Sequence, residues 1–262
     1  MTDDTSPARI TEIHRYPVKG LTPERLARAD LKPGQTLLAD RRYAIENGPS
    51  GFDPAAPKWL AKPHFLMLMR DEWLAGLQTR FDDASQVLTI RRDGAVAAQG
   101  NLATGEGRRA IETFLATAFA GRIKGPPRVL ESPGHSFSDV ARKVISIINL
   151  ASVRAIEGFV GAPVHPLRFR GNLHVEGWPA WHEFDLLDRT LAIGDTRLKV
   201  VKRIVRCAAV NVDPETAQRD LAIPPALQRR LGHADCGIYA EVITGGTIHA
   251  GDAITAEQLE LV

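Results

Sequence analysis

The sequence predicts a mainly β (α+β) protein with a β-barrel core and a few helices at the ends of the barrel. Three observations support this class: short β-segments follow one another closely, long helical patterns are few, and glycine-rich turns separate the segments. The chain has 262 residues, 44% hydrophobic and 24% charged, enough to bury one large core or two smaller ones. Neither GxGxxG nor GxxxxGK[ST] occurs, which disfavours the standard dinucleotide and P-loop folds.

The N-terminal half is typical of short strands and one long loop. Residues 10–45 contain two β runs separated by proline and glycine turn residues. Residues 47–63 are rich in Gly, Pro, Ser and Ala without periodicity, which predicts a loop of the kind that often borders a site. A further strand pair is predicted at 65–69 and 87–91, with a short helical turn between them.

One amphipathic helix is predicted after Gly107, and it ends at Gly121. Its apolar stripe consists of Ile111, Phe114, Leu115, Ala118 and Phe119. Prolines and glycines interrupt residues 121–140, which predicts a boundary between two lobes. We therefore divide the chain into a smaller N-terminal β-rich domain over 8–122 and a β-barrel domain over 123–262.

Strands dominate again beyond this boundary. Ser152 is predicted to N-cap a short helix, and residues 224–231 form a second one with a proline at its start. The predicted strands span 144–148, 167–175, 190–193, 198–206, 237–243 and 247–250. The last two are predicted to form a hairpin across Gly245-Gly246.

Charge balance and cysteine count exclude several classes of function. Lys and Arg number 33 against 31 Asp and Glu, and the net charge of +2 predicts neither nucleic-acid nor membrane binding. The N-terminus has no basic or apolar leader pattern, so a cytoplasmic location is expected. Two cysteines are too few for a disulfide framework, a four-thiolate zinc site or an iron–sulfur cluster within this chain.

Cys207 is the candidate reactive group. It follows Arg203 and Arg206 at the end of an apolar run, and guanidinium groups favour the thiolate, the form that ligates metals. The alternative is a small core residue whose neighbouring arginines point to solvent. Cys236, which precedes Gly237 at the start of a predicted strand, is expected to be packed.

Several basic residues are candidates for phosphate binding. Arg168 and Arg170 are predicted to share one face of a strand, followed by Gly171 and Asn172, which allow close backbone approach and hydrogen bonding. Paired guanidinium groups bind phosphate in a bidentate manner. The alternative is exposed arginines or ion pairs with nearby carboxylates. Further candidates are Lys19 and Arg41.

The other polar residues give weaker signals. The eight histidines show no metal-ligand spacing, and most are expected to be structural or on the surface. His233 and Cys236 form one close pair, but a zinc site would need two more ligands. No GxSxG motif supports serine hydrolysis. Asp213 and Glu183 are candidate proton carriers.

Several segments together resemble the MOSC family, the domain found at the C-terminus of molybdenum cofactor sulfurases, with its N-terminal β-barrel partner domain. The matching segments run nearly end to end and in the family's order. Segments 16–20 (YPVKG) and 40–43 (DRRY) are similar to motifs of the partner domain. Those similar to the MOSC domain are 146–152 (SIINLAS), 168–172 (RFRGN), Arg206-Cys207 with 213–216 (DPET), and Gly251-Asp252.

The resemblance implies a β-barrel that binds molybdopterin-bound molybdenum, with Cys207 as the catalytic residue and the protein ligand of the metal. Relatives often have Ser after the lysine of the YPVK motif, whereas Gly20 here offers only its backbone N–H. Two-domain members similar to the mitochondrial amidoxime reducing component hold the pterin and its phosphate through residues matching Lys19, Arg41, Asn149, Ser152, Arg170, Asn172 and Arg206.

Three functions follow as alternatives. The first is a molybdenum oxidoreductase that reduces N-hydroxylated small molecules; because some bacterial relatives carry an iron–sulfur domain not found here, we expect electrons from a separate ferredoxin-, flavoprotein- or cytochrome-like protein. The second is a cofactor carrier or sulfur relay with a persulfide on Cys207. The third is a binding module for another small anion with a structural Cys207. The pyridoxal-phosphate module of full-length sulfurases would need several hundred more residues, so we predict no pyridoxal phosphate.

Overall fold

The structure is a computed structural model that describes residues 8–257. This part of the chain is mostly β, with three α-helices: α1 (Gly105–Ala118), α2 (Leu150–Val160) and α3 (Ile223–Leu231). The strands are β1 (Ala8–Arg15), β2 (Glu24–Leu26), β3 (Arg28–Leu31), β4 (Tyr43–Asn47), β5 (Gln78–Asp82), β6 (Val87–Arg92), β7 (Ala95–Asn101), β8 (Pro127–Glu131), β9 (Ile145–Asn149), β10 (Leu173–Glu176), β11 (Thr190–Ile193), β12 (Thr196–Val205), β13 (Asp235–Thr244), β14 (Gly246–His249) and β15 (Ala253–Ala256).

Seven strands close into a barrel in the order β10-β9-β13-β12-β11-β15-β1, because β1 also pairs with β10. Strands β9 and β10 run parallel, and the other neighbours in the barrel are antiparallel. The inward side chains, among them Ile10, Ile13, Leu173 and Ile238, form a continuous apolar core. This arrangement confirms the predicted mainly β class with a β-barrel.

A second apolar core lies under the remaining N-terminal elements. The three-stranded sheet β5-β6-β7 and the pair β4-β8 surround it, and α1 packs on β7 and β8. The predicted amphipathic stripe is confirmed, since Ile111 and Leu115 are fully buried. Thr104 caps α1 by accepting a hydrogen bond from the N–H of Gly107. A Cβ on Gly107 would lie 2.1 Å from the carbonyl oxygen of Asn101, so glycine permits this close contact between helix and strand.

Strand pairing crosses the sequence position at which two domains are predicted. β1 lies in the N-terminal range but completes the barrel of C-terminal strands. Strands β3 and β4 likewise pair with β14 and β8, which follow the boundary. The division at 122/123 stays a prediction, and the cavity described below is built from both sides of it.

Three local predictions in the N-terminal and C-terminal sheets are wrong. Residues 65–69 form no strand: Phe65 makes a single bridge to Glu46, and the chain turns where Asp71 accepts a hydrogen bond from the N–H of Met67. Strand β6 pairs instead with β5 and β7. The glycines at 245 and 246 do not turn a hairpin, because β14 pairs with β3; a Cβ on Gly245 would lie 2.6 Å from the carbonyl oxygen of Leu31. Gly245 therefore permits a close approach of two backbones, whereas a Cβ on Gly246 would lie 2.6 Å from the side-chain oxygen of Thr196.

Two further corrections concern the candidate site residues. The predicted strand over 167–175 begins only at Leu173, since Pro166–Phe169 form a 3-10 turn and Arg170 adopts a left-handed backbone with φ of 52°. The N-cap of α2 is Asn149, whose side chain accepts a hydrogen bond from the N–H of Ala151, so Ser152 lies within the helix.

Candidate functional site

A cavity of about 250 Å³ opens between the end of the barrel and the N-terminal elements. Its walls come from distant parts of the chain, including the YPVKG segment, the loop before residue 65, the RFRGN segment and the end of β12. The predicted site residues that line it are Lys19, Gly20, Arg41, Arg168, Arg170, Asn172, Arg206 and Cys207.

Cys207 lies where β12 has ended and a 3-10 turn over Ala208–Asn211 begins. Its side chain is partly exposed toward the cavity, in contrast to that of Cys236, which is fully buried in an apolar cluster. Burial raises the pKa of the Cys236 thiol to about 12, which keeps it protonated. Cys207 is therefore the accessible thiol of the described chain, and the prediction of a packed Cys236 is confirmed.

Lys62 lines the cavity close to Cys207 and was not among the predicted site residues. It begins a 3-10 turn over Lys62–His64 at the end of the loop that the sequence predicts to border a site. Burial opposes its charge, but the combined attraction of Cys207, Asp139 and Tyr239 outweighs burial and raises the pKa of Lys62. Lys62 thus adds a positive charge to the part of the cavity that contains Cys207.

The aromatic ring of Tyr16 lies between two guanidinium groups of the cavity wall. Arg41 stacks over the ring at 4.4 Å and Arg170 at 4.3 Å from its centroid. Arg41 also pairs with Asp40 at 2.5 Å and donates to the carbonyl oxygen of Arg170 at 3.0 Å. Arg170 has no carboxylate partner among residues 8–257.

The charge of Arg170 is unfavourable in this surrounding. Burial lowers its pKa to about 10, and repulsion from Arg41 acts in the same direction. An anion in the cavity would supply the missing counter-charge. Phosphate is suited to this role, because the forked N–H donors of an arginine match its oxygens.

Arg206 is held by backbone oxygens alone. Its Nε donates to the carbonyl oxygen of Cys236 at 2.7 Å and its Nη1 to that of Phe169 at 2.8 Å. Within the described chain no carboxylate pairs with it. Arg206 thus presents a fixed positive charge beside Cys207, as its place in the sequence predicts.

Lys19 also lines the cavity. Its Nζ donates to the carbonyl oxygen of Phe137 at 2.9 Å and pairs with Asp139. Burial lowers the pKa of Lys19, with Asp139 opposing this effect. The next residue, Gly20, has a φ of 86°, and a Cβ there would lie 3.0 Å from the carbonyl oxygen of Leu66, so glycine suits this turn better than serine.

Arg168 and Arg170 do not share a face, contrary to the strand prediction. The 3-10 turn directs Arg168 to Asp213 at 2.7 Å and Asp220 at 2.8 Å, where its side chain is 2% exposed. It also donates to the carbonyl oxygen of Asn211 at 3.1 Å. Arg168 therefore fixes the segment that follows Cys207, and its charge is already balanced.

Asn149 and Ser152 do not line the cavity, although the resemblance implies cofactor contacts for both. Both are fully buried and donate to one carboxylate oxygen of Glu183, at 2.8 and 2.9 Å. Asn172 lines the cavity, but its side chain binds Ser146 and the carbonyl oxygen of His14. These amides and hydroxyls hold the barrel end together, because each is already hydrogen-bonded within it.

The cavity as a whole attracts anions. Its lining contains two carboxylates, Asp40 and Asp139, against a majority of cations: Lys19, Arg41, Lys62, Arg168, Arg170, Lys202, Arg203 and Arg206. Positive charges in a concave wall focus the electrostatic potential on its interior. With a partly exposed thiol in the same wall, the structure defines a β-barrel protein with a cationic cavity and an accessible cysteine.

Comparison with protein-family models identifies the family of this chain. The model of the MOSC domain matches residues 132–255, and that of the MOSC N-terminal beta barrel domain matches residues 7–126. The chain therefore belongs to the MOSC family, as the motif resemblance predicts. No curated protein matches the chain.

Solved structures show more distant likeness. YiiM from Geobacillus stearothermophilus is 19% identical with a TM-score of 0.36, and the alignment covers 45% of this chain and 55% of that one. YUAD from Bacillus subtilis is 13% identical with a TM-score of 0.45 over 96% of this chain and 97% of that one. YiiM from Escherichia coli is 17% identical with a TM-score of 0.30 over 44% and 54%. The chain thus spans only about half of either YiiM chain.

Membrane crossing by a helix has no support in the described part of the chain. None of the helices within residues 8–257 is both long enough and apolar enough to cross a bilayer.

Proposed function

We propose that the protein is a molybdenum-cofactor-dependent oxidoreductase that reduces N-hydroxylated small molecules. The overall reaction is R₂N–OH + 2e⁻ + 2H⁺ → R₂NH + H₂O, in which the N–O bond breaks and its oxygen leaves as water. The observation that carries the proposal is the partly exposed thiol of Cys207 in a cavity whose Arg170 and Arg206 have no carboxylate partner within residues 8–257. Family membership supports the choice of cofactor.

The donor set of the cavity fits this cofactor. A molybdopterin carries a phosphate, and the unbalanced charge of Arg170 beside Arg41 calls for an anion. The thiolate of a cysteine such as Cys207 is a soft ligand and suits a soft metal ion. When bound, the cofactor supplies the two-electron chemistry.

The chain's own residues would bind and orient the reactants. Cys207 would hold the metal, while Lys19, Arg41, Arg170 and Arg206 would hold the phosphate and pterin. Lys62 would place a positive charge beside Cys207 before the metal is bound. Electrons would come from a separate ferredoxin-, flavoprotein- or cytochrome-like protein, and the substrate would enter through the open side of the cavity.

A sulfur relay is the second candidate, favoured by the ammonium group of Lys62 in the same cavity wall as Cys207. A thiolate stabilised by an ammonium group is the nucleophile that persulfide transfer needs. In that reaction the donor's Cys–S–SH and the Cys207 thiolate exchange one sulfur, which yields Cys207–S–SH and the donor's free thiolate without net oxidation.

The deciding experiment is molybdenum content by elemental mass spectrometry after purification from a host that makes the cofactor. We expect molybdenum in wild type and in Cys236→Ala, the matched control, and none in Cys207→Ala. Loaded protein should then reduce an amidoxime with a chemical reductant. Loaded protein inactive toward every N-hydroxylated compound tested would contradict the reductase, and a gain of one sulfur atom on Cys207 after incubation with a desulfurase would support the relay.

A further inference from the structure

Three metal-ligating side chains meet on the outer face of the barrel, between β1 and β10. They are Glu12, His14 and His174, and one ligand atom from each lies within 4.8 Å of the others. None of the three lines the cavity that contains Cys207. The cluster is therefore separate from the candidate active site.

Strand geometry explains why these side chains converge. Glu12 and His14 are two residues apart on β1 and point the same way, and His174 is the direct cross-strand partner of Glu12. The register of β1 shifts between Ile10 and Glu12, which places one extra residue in the strand. This bulge lets Ile10 and Ile13 both face the core while Glu12 and His14 face outward.

The spacing of the three groups is close to that of a coordinated ion. One carboxylate oxygen of Glu12 lies 3.0 Å from Nε2 of His14 and 3.3 Å from Nδ1 of His174. A tetrahedral zinc ion with ligands at about 2.0–2.1 Å holds its ligand atoms about 3.3 Å apart. Two of the three separations are thus already those of a coordinated ion, and the two histidine nitrogens lie within 4.8 Å of each other.

The histidines are held only through Glu12. The second ring nitrogens, Nδ1 of His14 and Nε2 of His174, are buried without a partner in the described structure. Burial lowers the pKa of both histidines, that of His174 to about 4.

From this geometry we infer that Glu12, His14 and His174 form a binding site for a divalent transition-metal ion of the zinc class. Two imidazoles and one carboxylate are a ligand set that zinc uses with a fourth position open to water. Glu12 is 33% exposed, so an ion and its water can enter from that side. An ion there would tie β1 to β10 next to Asn172, whose side chain binds the carbonyl oxygen of His14.

Two other charged or titratable groups face the cluster. Arg25 on β2 approaches the second oxygen of Glu12 at 3.3 Å, but its side chain is 66% exposed and can turn to solvent when an ion binds. His165 acts on both histidines electrostatically from the turn before β10. Its Nδ1 is already used by the N–H of Leu167.

The test is isothermal titration of the full chain with zinc chloride, with visible absorption of added Co²⁺ as a second reading. We expect one equivalent per chain in wild type, in Cys207→Ser and in His249→Ala, a control histidine that is half exposed and outside the cluster. Glu12→Gln should bind at least about tenfold more weakly, since even changes around metal ligands cost that much. His174→Ala should lose the site.

If the buried His174→Ala variant fails to fold, Glu12→Gln still tests the metal site, because Glu12 is partly exposed and glutamine has the same size as glutamate. Equal affinity of wild type and Glu12→Gln would overturn the inference. Loss of the stoichiometric zinc in Cys207→Ser alone would also overturn it, since the ion would then belong to the thiol.

Discussion

The ammonium group of Lys62 and the thiol of Cys207 meet across the cavity from two different parts of the fold. Lys62 begins a short 3-10 turn after the long N-terminal loop, and Cys207 follows β12, one of the two ten-residue strands of the barrel. Attraction to Cys207, together with that to Asp139 and Tyr239, raises the pKa of Lys62 against the effect of burial. A positive charge is thereby fixed at the one thiol that the described structure leaves accessible.

We expect Lys62→Met to slow the alkylation of Cys207 by iodoacetamide at pH 7 by about two- to fivefold. This factor corresponds to the loss of about 0.5–1 kcal/mol of interaction between the two charges. Lys58→Met, an exposed lysine of the same loop, is the matched control and should react like wild type. Mass spectrometry of the labelled peptide gives the rate, and buried Cys236 should remain unlabelled. Equal rates in wild type and Lys62→Met would show that the ammonium does not support the thiolate.

The unpaired charge of Arg170 leads to a second prediction. We expect Arg170→Met to weaken the binding of inorganic phosphate by about tenfold or more, because charge-assisted hydrogen bonds contribute about 1.5–3 kcal/mol. Arg170→Lys keeps the charge and should retain part of the affinity. Arg154→Met, which removes an exposed arginine on α2, should bind phosphate as wild type does. Calorimetry at one fixed salt concentration measures all four proteins, and unchanged affinity in Arg170→Met would contradict an anion site at this arginine.

The parts of the fold that local sequence patterns determine could be predicted. The apolar stripe of Ile111, Leu115 and Phe119 predicted α1, and the proline near the start of α3 helped to predict that helix. The family motifs at 16–20 and 206–207 located two walls of the cavity. Barrel closure by β1 and β10 could not be predicted, since it depends on pairing between residues far apart in the chain.

The errors at the site have the same origin. Arg168 and Arg170 alternate like strand residues, but Pro166 starts a 3-10 turn that separates them. Asn149 and Ser152 fit the family motif, yet their contacts with Glu183 come from a turn about thirty residues away. The only sequence feature that pointed to a site near Lys62 was the composition of its loop. No local pattern shows that Lys62 lies close to Cys207. Long-range contacts therefore decided which polar residues face the cavity.

Arg168 provides a third prediction, on stability. Arg168→Met would leave Asp213 and Asp220 without their shared cation, and we expect a loss of about 2–3 kcal/mol in the free energy of unfolding. This is less than a fully buried pair would cost, because the side chain of Asp220 is 44% exposed. Urea denaturation measures the change.

Arg122→Met serves as the control for this experiment. Arg122 makes an exposed ion pair with Glu72, whose loss should cost about 1 kcal/mol or less. Similar losses in the two variants would contradict the view that Arg168 fixes the segment after Cys207.

Glu183 gives a fourth prediction, on pH. The carboxyl group is fully buried, and burial raises its pKa above the ordinary 4.5, against the hydrogen bonds from Asn149 and Ser152. A carboxyl whose pKa is higher in the folded than in the unfolded state favours folding when protonated. Its contribution is complete below pH 4.5 and is lost as the pH rises through the folded-state value.

Glu183→Gln removes this titration while its carbonyl oxygen can still accept both hydrogen bonds. We therefore expect the melting temperature of Glu183→Gln, relative to wild type, to rise between pH 4 and pH 8. Calorimetric melting across this range measures the difference, with Glu215→Gln, an exposed carboxylate, as the control. A constant difference between Glu183→Gln and wild type would mean that Glu183 stays ionised in the fold. Its unpaired oxygen would then have to be solvated by bound water, because an uncompensated buried charge would be strongly destabilising.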